Sequence, residues 1–176
     1  MKLAVIFWFT GVLLVVAQTT ILQFLPSWLG RPDFLYIFVA FIAYRFAWIP
    51  GIVTVFSLGW IVDVIAGIQL GFYPLQCLIT FATLKTLTHK SPVKETTYQI
   101  PLVGLSYFAV QMLLYFVYSL ASPELLSEWS WGVMLQRTAL ITVSAIPVFV
   151  LCTKFYEYLL KKQLKAKSLK RRPRKY

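Results

Sequence analysis

Apolar residues fall along this chain in long runs, separated by short polar or Pro/Gly breaks. A helix crossing a bilayer needs about 20 consecutive, mostly apolar residues, and six runs reach or approach that length. The first covers residues 3–25 and is closed by Pro26-Ser27, with Trp28, a residue type enriched at membrane interfaces, just beyond. The second follows Arg31-Pro32-Asp33 and covers residues 34–48, about 15 residues and short for a full crossing. The third opens at Pro50-Gly51 and reaches residue 68; the fourth covers residues 70–86, the fifth 100–121 and the sixth 131–159. The pattern predicts an all-α, polytopic membrane protein, with a six-helix transmembrane domain over residues 1–160 and a tail over residues 161–176.

Composition removes the soluble alternative. Of 176 residues 59% are hydrophobic and 13% charged, against about 25% charged in soluble domains, and mean hydropathy is +0.73. So few charges cannot cover a water-soluble domain of this size. The placement of Lys and Arg then sets orientation, because short loops rich in them stay cytoplasmic. With the N-terminus inside, 15 of the 17 basic residues fall on the inner side: Lys2, Arg45, Lys85, Lys90, Lys94, Lys154 and nine between Lys161 and Lys175. Arg31 and Arg137 fall on the outer half, and the loop after the fifth segment carries Glu124 and Glu128 without Lys or Arg. Both termini are expected in the cytoplasm, as an even number of crossings also requires. Lys2, the apolar stretch after it and Val15-Val16-Ala17 before Gln18 have the outline of a signal peptide. The apolar run continues to Leu25, so no cleavage is expected.

Candidate chemistry is sparse. Cys77 and Cys152 lie far apart in apolar runs, with no CxxC spacing, and His89 is the one histidine, so neither a disulfide framework nor a metal site is expected. His89 falls in an inner stretch with Lys90, Lys94 and Glu95, where it is expected to be solvated. No GxSxG, HExxH, P-loop or dinucleotide fingerprint occurs. The expectation is a protein without enzymatic activity and without a cofactor.

Polar residues at membrane depth carry more information, since each costs about 2.5–3.5 kcal/mol to insert and so requires a partner, a wet cavity or a route to the interface. Asp63 lies about 18 Å into the third helix beyond Gly51. Gly59, Asp63, Gly67 and Gly71 recur every four residues, and on a continuing helix Gly59, Gly67 and Gly71 form a stripe where another helix packs closely. Arg137, at similar depth in the sixth helix, is the expected counter-charge of Asp63; Arg31 is a second candidate, and separate placement of Asp63 near the headgroups with Arg137 snorkelling is the alternative. Pro32 and Asp33 suit the first turn of the second helix, where Asp faces the positive end of the helix dipole. Gln18, Thr19, Thr20 and Gln23 cluster in the outer third of the first helix, for interhelical hydrogen bonds or a polar cavity.

The segment from Lys154 to Tyr176 holds ten basic residues and one acid, and supplies +9 of the net charge of +11. Lys161, Lys162, Lys165, Lys167, Lys170, Arg171, Arg172, Arg174 and Lys175 are candidates to bind anionic lipid or an acidic cytoplasmic partner. Nucleic acid is not expected as a ligand: Tyr176 is the only aromatic after Tyr158, and single-strand binders interleave aromatics with their charges.

Arg31-Pro32-Asp33-Phe34-Leu35, a short apolar helix, Gly51, then Gly59-Trp60-Ile61-Val62-Asp63, Gly67 and Leu70-Gly71 resemble the rod shape-determining protein MreD family over residues 1–90, and the remainder resembles it in size and helix spacing. Trp60 departs from the smaller aliphatic residue expected there, and the long basic tail matches no motif of the family. The resemblance implies a non-enzymatic component of the bacterial inner membrane that binds MreC and works with MreB, RodA and its partner transpeptidase to position peptidoglycan synthesis during cell elongation. It also implies a fold similar to the six-helix substrate-binding subunits of vitamin importers, with a pocket open to the outer face, Pro32 and Asp33 at its mouth, and Asp63 and Gly67 nearer its floor. A solute-binding subunit of a small-molecule importer is the alternative function, with Trp28, Tyr73 and Trp131 as candidate walls of its cavity.

Overall fold

Each apolar run contains one helix. The computed structural model describes residues 2–21, 33–67, 71–90, 96–121 and 130–171. Its helices are α1 (Lys2–Ile21), α2 (Phe34–Arg45), α3 (Trp48–Ala66), α4 (Phe72–Lys90), α5 (Thr96–Ala121) and α6 (Trp131–Arg171), and the described residues include no strand. The second run ends earlier than its apolar pattern suggests. Phe46 leaves the helix in an extended conformation and Ala47, also extended, starts α3.

The shortest helix is the centre of the molecule. Residues 35–43 of α2 are all exposed by 2% or less, so the helix is apolar on every side because every side meets protein. At 12 residues it is about 18 Å long, well short of the roughly 30 Å of bilayer hydrocarbon. Its neighbours run in both directions beside it. Phe7 of α1 stacks on Phe41 and meets Phe46 edge-on, while Gln18, farther along α1, reaches Asp33 at the start of α2, so α1 runs antiparallel to α2. Tyr36 hydrogen-bonds Ser106 and Tyr44 reaches the Gln99 carbonyl, which makes α5 antiparallel as well. Phe41 meets Phe149 and Phe46 meets Tyr156, so α6 runs parallel to α2. Phe7 also packs on Tyr156, placing the beginning of α1 and the later part of α6 at one end of the bundle.

Four helices, α1, α3, α5 and α6, contain stretches long and apolar enough to cross a membrane. The other two are short or polar for a reason that the packing explains. α2 is enclosed, and α4 turns its polar residues inward: Gln76 and Thr80 are buried, Thr80 donates to the Gln76 carbonyl, and Leu75 and Leu87 are exposed. Large apolar side chains cover the outside, in stripes such as Val5, Phe9, Leu13 and Val16 on α1 and Ile49, Val53, Phe56, Trp60 and Val64 on α3. Such continuous apolar surface is what lipid, or another apolar helix, covers. The described residues are thus all-helical, and four of the helices are consistent with a membrane protein.

One expectation needs correction. The glycine stripe is broken, because α3 stops at Ala66: Gly67 takes the left-handed conformation (φ 64°) and donates its N–H to the Asp63 carbonyl, ending the helix as glycine commonly does. Gly71, at φ 93°, precedes α4, and neither Gly67 nor Gly71 has a neighbour where a side chain would project. Of the three, only Gly59 is a packing glycine, since a Cβ there would lie 2.6 Å from the Pro74 Cα on α4. Close approach recurs at Gly51, where Phe81 fills the space, and at Gly104, where Thr142 does. Beyond the apolar segment of residues 131–159, α6 continues as one helix of 41 residues to Arg171.

Candidate functional site

Polar groups at one end of the bundle, half-buried except for the buried Asp63, form a single joint between four helices. Asp33 caps α2, its Oδ1 accepting from the Tyr36 N–H at 3.1 Å and from Gln18 Nε2 at 3.3 Å. Gln18 in turn accepts the Leu35 N–H through Oε1 at 3.1 Å, so α1 supplies a second cap to the same helix end. The other carboxylate oxygen of Asp33 accepts from the Tyr73 hydroxyl on α4. Gly71, at the start of α4, has no side chain to cap its own helix. Asp63 of α3 does so from outside: Oδ2 accepts from the Gly71 N–H at 2.6 Å and Oδ1 from the Tyr73 N–H at 3.2 Å. Tyr73 therefore bridges the two acids, its backbone on Asp63 and its hydroxyl on Asp33.

The electrostatic logic is that of helix N-termini, which expose unpaired N–H groups and the positive end of the dipole. A carboxylate placed there is stabilised without a cation. This is why Asp63, 5% exposed, does not pair with Arg137 as expected: its oxygens are occupied by backbone N–H groups, and the Arg137 side chain is exposed on α6. Asp33 likewise spends its oxygens on three donors rather than lining an open mouth, and Pro32 lies outside the described residues. Of the neighbouring polar residues on α1, Gln18 makes the expected interhelical bonds, whereas Thr19 donates back to the carbonyls of Val15 and Val16.

At the opposite end of α2 the chemistry is inverted. The Lys85 ammonium, also from α4, donates to the Ala43 carbonyl at 3.1 Å and to the Phe46 carbonyl. It satisfies orphan carbonyls and complements the negative end of the dipole. Charge counting along the sequence treats Lys85 only as an inner-side marker; its bond to α2 depends on the parallel alignment of α2 and α4, which has no signature in the chain.

A second feature lies on the outside of the bundle, between α1 and α3. Ala4, Val5, Trp8, Phe9, Ile49, Pro50, Val53 and Thr54 line a groove of about 700 Å³. Its polar atoms are already used: Trp8 donates Nε1–H to Ser57 at 2.7 Å, Ser57 donates to the Thr54 carbonyl at 2.9 Å, and Thr54 donates to the Pro50 carbonyl at 2.7 Å. What remains is apolar and opens sideways, flanked by the exposed stripes of both helices.

The three aromatics considered as walls of a solute cavity are not brought together. Tyr73 is part of the joint, Trp131 lines a different apolar cavity of about 370 Å³ with Met112, Tyr115, Phe116 and Ser119, and Trp28 lies outside the described residues. Among the described residues no three metal-ligating side chains gather, and Cys77 and Cys152 are both free thiols. In the tail, Lys161, Lys162 and Lys165 are exposed on α6, Lys167, Lys170 and Arg171 occupy its last turns, and Arg172, Arg174 and Lys175 lie outside the described residues. No family model, curated protein or solved structure matches the chain.

Proposed function

We propose that this chain is a multi-pass protein of the bacterial inner membrane, crossing six times with both termini in the cytoplasm, and that it serves as a non-enzymatic scaffold of the cell-elongation machinery in the manner of MreD. In this reading the joint end of the bundle faces outward and the Lys85 end faces the cytoplasm, following the bias of basic residues to the inner side. The scaffold binds MreC, a single-pass protein, by helix packing and so helps position peptidoglycan synthesis; MreB and RodA with its transpeptidase are further partners of the assembly.

One observation carries the reading: the lateral groove between α1 and α3, whose walls are apolar and whose polar atoms are already paired. A transmembrane helix that packs there gains van der Waals contact without stranding a hydrogen-bonding group. The joint supports it in a second way. The two acids that mark the resemblance, Asp33 and Asp63, are tied through Tyr73 into helix caps, a role in holding shape and not in turnover.

Filling the groove tests the proposal. Val5→Trp combined with Val53→Trp adds bulk at two exposed wall positions and should leave the unfolding midpoint in detergent unchanged. Recovery of MreC with the purified protein should fall at least fivefold. Undiminished recovery would remove the groove from the binding surface.

A further inference from the structure

The two flanks of α2 differ in chemistry. Toward α1 and α6 its contacts are ring on ring, with Phe41 against Phe7 and Phe149. Toward α4 and α5 they include hydroxyls: Tyr36 Oη lies 3.0 Å from Ser106 Oγ on α5, and Tyr36 also has a side-chain hydrogen-bonding contact with Thr80 on α4. All three residues are buried, so bulk solvent does not serve them.

Counting protons exposes a shortage. Thr80 donates its hydroxyl proton to the backbone carbonyl of Gln76 at 2.8 Å, and Ser106 donates its own to the Val103 carbonyl at 2.8 Å. Only the Tyr36 proton remains for two hydroxyl neighbours, and the oxygens of the cluster still have lone pairs to offer. One turn before Thr80 on α4 the imbalance is reversed. The Gln76 carboxamide carries two N–H donors, belongs to a residue only 6% exposed, and makes no hydrogen bond among the described residues. A buried amide left unpaired is costly, and where protein does not reach such a group an ordered water does.

Spacing identifies what closes the gap. Side chains four residues apart share a helix face, with Cβ atoms about 5–6 Å apart, close to the span of two hydrogen bonds of about 2.8 Å laid end to end. One water molecule fits there, accepting from Gln76 Nε2 and donating to the oxygens of Thr80 and Tyr36. It then has three partners, as buried waters typically do. An anion would find the Thr80 and Ser106 protons already spent, and a cation no carboxylate among these groups.

We infer that Gln76, Thr80 and Tyr36 form a binding site for one buried water molecule, which joins α4 to α2 and, through Ser106, to α5. The site is separate from the lateral groove and does not depend on how the chain sits in a membrane.

The test uses the full chain in detergent micelles, labelled with ¹⁵N at glutamine. The Gln76 side-chain N–H signals, assigned by correlation to the Gln76 backbone, should receive magnetisation directly from water, and Thr80→Val should reduce that transfer at least threefold. Denaturant titration supplies a second readout. Gln76→Leu and Thr80→Val should each lower the folding constant at least fivefold, and the double variant should lose less than threefold beyond the more damaging single one, because both break the same bridge. Absence of transfer to Gln76 in the unaltered chain overturns the inference without requiring any variant to fold. Transfer that is unchanged in Thr80→Val puts the water elsewhere and overturns it too. So does a higher folding constant in Gln76→Leu, the outcome for a dry, unpaired amide, and so does full multiplication of the two single effects, which leaves no shared water between them.

Discussion

At its first turn α2 is met by carboxylate and amide oxygens, from Asp33 beside it and Gln18 on α1, and at its last turn by an ammonium, from Lys85 on α4. The two ends solve one problem with opposite charges, because a helix of about 18 Å buried in a bundle cannot send its terminal N–H and C=O groups to water. They differ in redundancy. The N-terminal end draws on α1 and, through the Tyr73 hydroxyl, on α4, and is coupled to the Asp63 cap of a second helix. The C-terminal end relies on one flexible side chain. A short interior helix is thus held by partners at its ends as much as by the apolar contacts along its sides.

Removing Asp33 is expected to be the most damaging single change. Asp33→Ala takes the acceptor from the Tyr36 N–H, Gln18 and the Tyr73 hydroxyl together, and a lost N-cap alone costs about 0.5–2 kcal/mol. With the stranded donors added, denaturant titration in detergent should show a loss of about 3 kcal/mol. Lys85→Met keeps the apolar stem and removes the charge at the other end. A hydrogen bond to a charged group contributes about 1.5–3 kcal/mol, so a loss of about 2 kcal/mol is expected, and Lys85→Arg should recover part of it. Equal losses at Asp33 and Lys85 would show that the shared joint adds nothing to the N-terminal end. The smallest effect is expected at Arg137: Arg137→Gln should shift stability by less than about 0.5 kcal/mol, as exposed substitutions do, and exchanging the charges of Asp63 and Arg137 should rescue nothing. A loss comparable to that of Asp63→Ala would restore the ion pair in place of the backbone caps.

The helices were legible because lipid leaves a long, one-letter-at-a-time record: an apolar run ends where Pro, Gly or charge begins. The start of α2 was legible for the same reason, since Asp after Pro at a helix entrance has few other uses, and it does cap the helix. The partner of Asp63 was not. Depth along a helix can be counted from sequence, but the direction a side chain faces and the backbone N–H groups it meets have no letters of their own. Gly67 and Gly71 misled in a related way. Their spacing fits a packing stripe only if α3 runs through them, and the same residue type that permits close packing also permits the left-handed turn that ends the helix. The inward polar face of α4 was hidden because Gln76 and Thr80, which weaken its apolar signal, belong to the interior and not to a loop. The groove was hidden for a different reason: it is made jointly by α1 and α3, and exists only once they are side by side.

The way α2 is closed has a consequence for how the chain is made. The lysine that seals its last turn is encoded 40 residues after Arg45, and the tyrosine that completes its first turn 28 after. At ribosomal speeds of about 5–20 residues per second, the nascent segment spends roughly 2–8 s in the insertion machinery before its final partner is synthesised. During that interval the future hub of the bundle is a stub too short to span the bilayer by itself, so biogenesis must shelter it until α4 arrives.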